Sequence, residues 1–425
     1  MYSVVIGTNN QKKLTVAQNA MYNFIGAIVY SVCQWVISSL LVVHLSPEEM
    51  SLNNTGLLQL SMSVTNIFYA LALYSVRTFQ VSEVENKYSN ADYVGARFIT
   101  MGISLLLCFG YSLSFGYSKK DILCIMFYMC YKLTEAFCDV LHGIDQKNYR
   151  MDYVGVSYVV RGIVSMFAFA ATILITSNII ISIVAMAVST LIIAVLYDVP
   201  KASRFGSVKP SFNKKNIISL LGACLPAVVA SMAFIAITSI PRQTLEAMYD
   251  KDTLGYYGTI AAPLVIVQVM ATSIFNPMLT ELSHHYKNGE IRKFIMRLAK
   301  NLIMLIVIAS IICAGVAVLG KFAVGLVFGQ KFVPYTYLMY GIIGCTTLYV
   351  ISWLCTSTLI IMRHMNVCMI ASLIALGMSV LLARPMINRF EMNGVSFSII
   401  IAYAIHITVS FVVIYKNLRL KRKEK

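Results

Sequence analysis

The stretch YKLTEAFCDVLHGIDQKNYRMDYVGVSYVVRG, Tyr131 to Gly162, begins and ends inside long apolar runs. It nonetheless carries Lys132, Glu135, Asp139, His142 and Arg161 where a membrane-spanning reading places hydrocarbon. Lys132, Glu135, Asp139, His142 and Gln146 recur at intervals of 3, 4, 3 and 4. On a helix they fall within an arc of about 80°, with Leu133, Ala136, Phe137, Val140 and Leu141 on the other side. A charge in the bilayer centre costs roughly 2.5–3.5 kcal/mol on insertion scales, so such a stripe must face protein or a water-filled cavity.

The rest of the chain makes the membrane reading unavoidable. Its 425 residues are 58% hydrophobic and 12% charged, with a mean hydropathy of +0.75. Soluble domains carry about 25% charged residues. Runs of about 20 apolar residues recur throughout, the mark of spanning helices, and the alternation of a β-barrel is absent. Twelve spans are expected: 17–43, 54–79, 94–115, 121–142, 153–175, 178–197, 216–241, 254–280, 296–320, 334–361, 365–383 and 394–415. The first run is too long for a cleavable signal. The fold class is therefore an all-α polytopic membrane protein.

The stretch DVPKASRFGSVKPSFNKK (198–215) reads as a linker between two six-helix lobes, 1–205 and 206–425. The lobes resemble each other weakly: NTGLLQL opens the second span and TLGYYGT the eighth, placing Gly56 and Gly255 half a chain apart. Duplicated halves are common in transporters, with the substrate between them. Of the 34 Lys and Arg residues, 24 lie on the side shared by both termini and 8 on the other, with Lys132 and Arg161 inside spans. By the positive-inside rule both termini are cytoplasmic. The net charge of +16 then records orientation and contact with anionic membrane lipids, not nucleic-acid binding. The ten cysteines all fall in expected spans without metal-ligand spacing, which favours packing roles. No phosphate-binding loop, GxSxG or HExxH motif occurs, and no outer loop has room for an enzyme site.

Depth can be counted. Lys132 lies eleven residues into its span, about 16 Å, and Arg161 nine residues into the next, about 13 Å. Lys132, Arg161, Arg77 and Arg242 are thus candidates for a cationic cavity that binds an anion, arginine being suited to phosphate by its planar fork. Glu135, Asp139 and Asp152 are candidates for charge balance or for coupling to H+ or Na+. Gln80, His142, Gln146 and Arg150 are expected at the cytoplasmic mouth, and Pro226 should kink the seventh span. The competing reading of the stripe is a set of buried ion pairs that fix helix packing. For Arg77 it is an interfacial snorkelling side chain.

The motifs RxFQxS (Arg77, Phe79, Gln80, Ser82) and QxxxRxDY…S…R (Gln146, Arg150, Asp152, Tyr153, Ser157, Arg161) resemble those of the O-antigen and polysaccharide flippases. That family lies in the superfamily of multidrug-and-toxin (MATE) exporters and lipid II flippases. IPRQTLEAMYDKDTLGYYGTIAAPLVIVQVMATSIFNPML (240–279) is similar as well, although Pro241 stands where many relatives carry an acidic residue. The resemblance implies two pseudo-symmetric lobes in a V and no cofactor. It implies alternating-access transfer of an undecaprenyl-diphosphate-linked oligosaccharide to the outer leaflet of the bacterial inner membrane, beside polysaccharide polymerase and chain-length machinery. The alternatives are a small-molecule exporter, which should prefer an acidic cavity, and a membrane polymerase or ligase.

Overall fold

The computed structural model describes residues 15–83, 87–263, 268, 282–362 and 364–423. They form helices α1 (Gln18–Leu45), α2 (Glu48–Val81), α3 (Asn90–Ser114), α4 (Lys119–Lys147), α5 (Met151–Thr176), α6 (Ile179–Phe205), α7 (Lys214–Met248), α8 (Lys251–Ala261), α9 (Ile291–Phe328), α10 (Gln330–Ile361), α11 (Met365–Phe390) and α12 (Met392–Arg419). Ten of these are long and apolar enough to cross a membrane. The two others are α4, which carries the polar stripe through 29 residues, and α8. The expected eighth span continues into 264–267 and 269–280, which lie outside the described residues. No strand occurs among the described residues.

The expected spans other than the eighth are recovered in order, but the helices overrun them. α6 extends to Phe205 and α7 to Met248, so Asp198 and Arg242, which the sequence reading put at or beyond span ends, are helical. The linker shrinks to 206–213. The ends are set by local chemistry. Ser118 and Asp121 form a reciprocal capping box at the start of α4, as do Ser89 and Asp92 at α3. Asn178, Asn213 and Asp250 cap α6, α7 and α8 through their side-chain oxygens. Each supplies an acceptor for amides left unpaired in a first helical turn.

α2 is broken at Tyr74 and Ser75, both left-handed (φ 48° and 52°). The break frees the Ala72 carbonyl, which accepts from Arg97 Nη1 (2.5 Å) and Thr100 Oγ1 (2.8 Å). It also re-aims the short segment Val76–Ser82, and Arg77 with it, towards α4. α7 stays helical through Pro226 and Pro241. Pro226 has no N–H to give, so the Gly222 carbonyl loses its helical donor.

α4 lies at the centre of the first half, packed on α2, α3, α5 and α6. In the second half α7, α11 and α12 pack together, with α10 on α12. The halves meet where α2 packs on α7 and α8. At that seam a Cβ on Gly56 would lie 1.8 Å from the Lys251 carbonyl oxygen. One on Gly255 would lie 2.7 Å from that of Leu52 and 3.2 Å from Gly56 N. The two glycines matched in the sequence thus face each other at the crossing of α2 and α8. Lys251 Nζ also bonds Asp121 Oδ1 (2.6 Å) and Tyr111 OH donates to Gln243 (2.6 Å). These contacts close the face that carries the α1–α2, α3–α4 and α7–α8 connections. The opposite, basic face carries α2–α3, α4–α5 and α6–α7, held by Lys147–Glu83 (3.4 Å) and Asn216–Asp92 (3.1 Å).

Candidate functional site

The polar stripe of α4 is divided among its neighbours, one partner helix at a time. Arg161 on α5 bonds Glu135 (2.5 Å) and donates from Nε to Ser157 (3.1 Å), and is only 1% exposed. Asp139 bridges Arg97 on α3 (2.8 Å) and Arg77 on α2 (3.3 Å). Arg77 also donates to Gln146 Oε1 from Nε (3.0 Å) and Nη2 (2.9 Å). His142 Nε2 lies 3.2 Å from both Asp198 on α6 and Ser157 on α5. A buried ion pair with its lone pairs satisfied holds its helices in one arrangement, and breaking one partner leaves an uncompensated charge.

This geometry corrects several expectations. Arg161 and Glu135 form a closed pair inside the first half, at 1% and 8% exposure where α4 meets its neighbours; Arg161 does not line an open cavity. His142 is not at the mouth but buried at 1% exposure against Asp198. Gln80 is fully buried too, its amide Oε1 filling the space that a side chain at Gly143 would need. Arg77 and Gln146 do line a pocket of about 330 Å³ on the basic face, with Thr78 and Val81. Arg150 pairs with Asp152 (2.7 Å) and stacks on Tyr153, at 3.8 Å from the ring centre. Pro226 lines a separate cavity on α7.

Two predicted cations remain, and they come together. Lys132 and Arg242 both line a chamber of about 280 Å³ between α1, α2, α4, α7 and α8. Among the described residues neither meets a carboxylate, and no Asp or Glu lines the chamber. Lys132 Nζ is ringed instead by Tyr69, Tyr128 and Tyr131, at 5.1, 5.6 and 5.7 Å from the ring centres. The Arg242 guanidinium lies 5.9 Å from the Tyr257 ring. Arg242 Nε and the indole N–H of Trp35, another lining residue, are buried donors without an acceptor among the described residues. The chamber thus offers two cations from opposite halves and spare N–H groups. A buried donor left unpaired costs about 1–3 kcal/mol, which an anion would offset.

Reasoning from sequence missed Arg97 and Asp198, which it counted among the loop residues. It also missed the chamber's Gln34, Trp35, Gln59 and Asn66. Three of these four are amides inside apolar runs, a signal that was there to read. Asp145, at the end of α4, is fully buried with neither carboxylate oxygen hydrogen-bonded.

No family model matches the sequence. The chain is 25% identical over 412 residues to the capsular polysaccharide biosynthesis protein CapF of Staphylococcus aureus, covering 94% of this chain and 99% of that one. The lipid II flippase MurJ, in an inward closed conformation, is similar in structure with a TM-score of 0.70 at 13% identity, over 94% of this chain and 87% of that one. A multidrug resistance MATE family transporter of the MOP superfamily, inward-facing, gives 0.67 at 12% identity over 95% and 96%. The chain has the MATE-type fold. It is a multi-pass membrane protein related in sequence to a capsule-biosynthesis protein, in line with the polysaccharide-flippase resemblance carried by the RxFQxS and QxxxRxDY motifs.

Proposed function

We propose that this protein is a flippase for an oligosaccharide carried on a polyprenyl diphosphate, of the undecaprenyl type, and is not an enzyme. The observation that carries this reading is the pairing of Lys132 and Arg242, free of carboxylates, across a chamber shared by both halves. Two cations with spare donors suit a diphosphate. Relation to a capsule-biosynthesis protein supports the glycan, and the MATE-type fold supports transport. The two halves, 1–205 and 206–425, would move as lobes, and the Gly56–Gly255 crossing supports their relation by a two-fold axis. With both termini on the cytoplasmic side of the inner membrane, the closed face is the outer one. A drug exporter for cations is disfavoured because no carboxylate among the described residues lines the chamber.

Coupling to H+ or Na+ belongs to the same proposal. Glu135, Asp139 and Asp152 are each held by arginine, so we assign the coupling role to Asp145, the buried carboxylate without a hydrogen bond. Polymerase and chain-length proteins would act downstream. Purified protein in liposomes, with a fluorescent diphosphate-linked oligosaccharide, tests the function. Transfer across the bilayer supports it; transfer no faster than in protein-free liposomes contradicts it.

A further inference from the structure

α7 carries a second cavity on the face that carries Arg242. Ser231, Ile235 and Arg242 fall within an arc of about 40° on that helix. Ser231 and Ile235 line a cavity of about 460 Å³ with residues of α2, α10 and α11, whereas Arg242 lines the chamber. The step from Ile235 to Arg242 is about 10 Å along the helix axis, so the cavity lies nearer the basic face than the chamber does.

Its chemistry differs from the chamber's. Among the described residues, none that lines it is charged. Trp353 and Tyr349 line it together with Phe234, whose ring centre lies 5.3 Å from that of Tyr349. Among the described residues no other ring packs against Trp353, leaving an aromatic surface available. Ser231, Thr356 and Ser357 line it too, the Ser231 hydroxyl donating to the Ala227 carbonyl (2.9 Å). Thr356 Oγ1 is buried with no hydrogen-bond partner. Aromatic faces with interspersed hydroxyls match a sugar ring, which has C–H patches on its faces and hydroxyls at its edge. A lipid tail would leave the Thr356 hydroxyl unsatisfied. An ionised sugar acid would be desolvated without a cation to meet it.

We propose that this cavity is a subsite for uncharged sugar rings, set apart from the phosphate chamber along α7. It rests on the reading of the chamber as a diphosphate site, and it implies that the protein selects repeat units whose sugars near the diphosphate are neutral. The volume lies within the range of pockets that enclose small ligands, about 300–1,000 Å³.

The chain has two tryptophans, and each lines one of the two cavities: Trp35 the chamber and Trp353 the sugar subsite. Trp35→Phe and Trp353→Phe proteins, purified at full length, therefore report on the sites separately by emission. Probes are inorganic pyrophosphate, the neutral trisaccharides chitotriose and maltotriose, trigalacturonic acid, and farnesol as a tail mimic. Pyrophosphate should change Trp35 emission only, and a neutral trisaccharide Trp353 emission only. Thr356→Val should weaken the trisaccharide response about five- to tenfold, the loss of one hydrogen bond, and leave the pyrophosphate response intact. A Trp353 response to farnesol, or an equal response to trigalacturonic acid, overturns the proposal. So does silence of Trp353 towards both neutral trisaccharides while Trp35 still answers pyrophosphate. Silence of Trp35 towards pyrophosphate overturns the diphosphate reading of the chamber instead.

Discussion

A lysine ringed by tyrosines and an arginine clamped by a carboxylate should answer the same substitution differently. Lys132 has no carboxylate partner among the described residues, so Lys132→Ala should leave the melting temperature nearly unchanged and lower glycan transfer about ten- to a hundredfold. Arg161 is bonded to Glu135 and buried. Arg161→Ala strands that carboxylate and should cost about 3–5 kcal/mol of stability, seen as loss of protein from the membrane fraction. Arg161→Met combined with Glu135→Leu removes both charges and should restore folding. If the double variant folds and transports, the pair is structural; if it folds without transporting, the pair serves transport directly. Asp145→Asn tests coupling: transfer should persist down a substrate gradient and lose its response to an imposed ion gradient. A response equal to that of the wild type would remove Asp145 from the coupling step.

At the level of elements, the crossing of α2 and α8 is a close backbone contact between the halves. Ala at Gly56 would drive its Cβ to 1.8 Å from a backbone oxygen, whereas Gly102 on α3 meets nothing within 4 Å. Gly56→Ala should lower the thermal midpoint by several degrees, and Gly102→Ala should leave it unchanged or raise it, alanine being the better helix former. Equal midpoints would mean that the helices separate at no cost. The order of the helices was legible in the sequence because hydropathy marks the stretch that crosses hydrocarbon. Their ends were not, because they run on into polar surroundings under the control of caps such as Ser118 and Asn213. The stripe on α4 was legible from its 3–4 spacing, but its partners were not. Arg97 and Asp198 sit in helix ends that composition assigns to loops, and the α2 break at Tyr74–Ser75 that aims Arg77 has no glycine to announce it.

For the whole molecule, alternating access requires the closed face to open. The Asp121–Lys251 pair joins the two halves there (2.6 Å). Cysteines at these two positions, joined by a cleavable bis-maleimide, should stop transfer, and cleavage of the linker should restore it. Transfer that continues at the wild-type rate with the link intact would contradict opening at this seam. The same global arrangement explains why the sequence reading set Lys132 beside Arg161. Counting depth places Lys132 and Arg161 at one level, but only the packing of α4 inside its half shows that Arg161 is enclosed while Arg242, from the other half, shares the chamber with Lys132.

The central claim is that Lys132 and Arg242 together receive a diphosphate, and the direct test is transfer by the Lys132→Ala, Arg242→Ala double variant in liposomes, matched to wild type for amount and melting temperature. Without the two charge-assisted hydrogen bonds, at about 1.5–3 kcal/mol each, transfer of the diphosphate-linked oligosaccharide should fall at least about a hundredfold. A double variant that transfers at the wild-type rate would contradict the account.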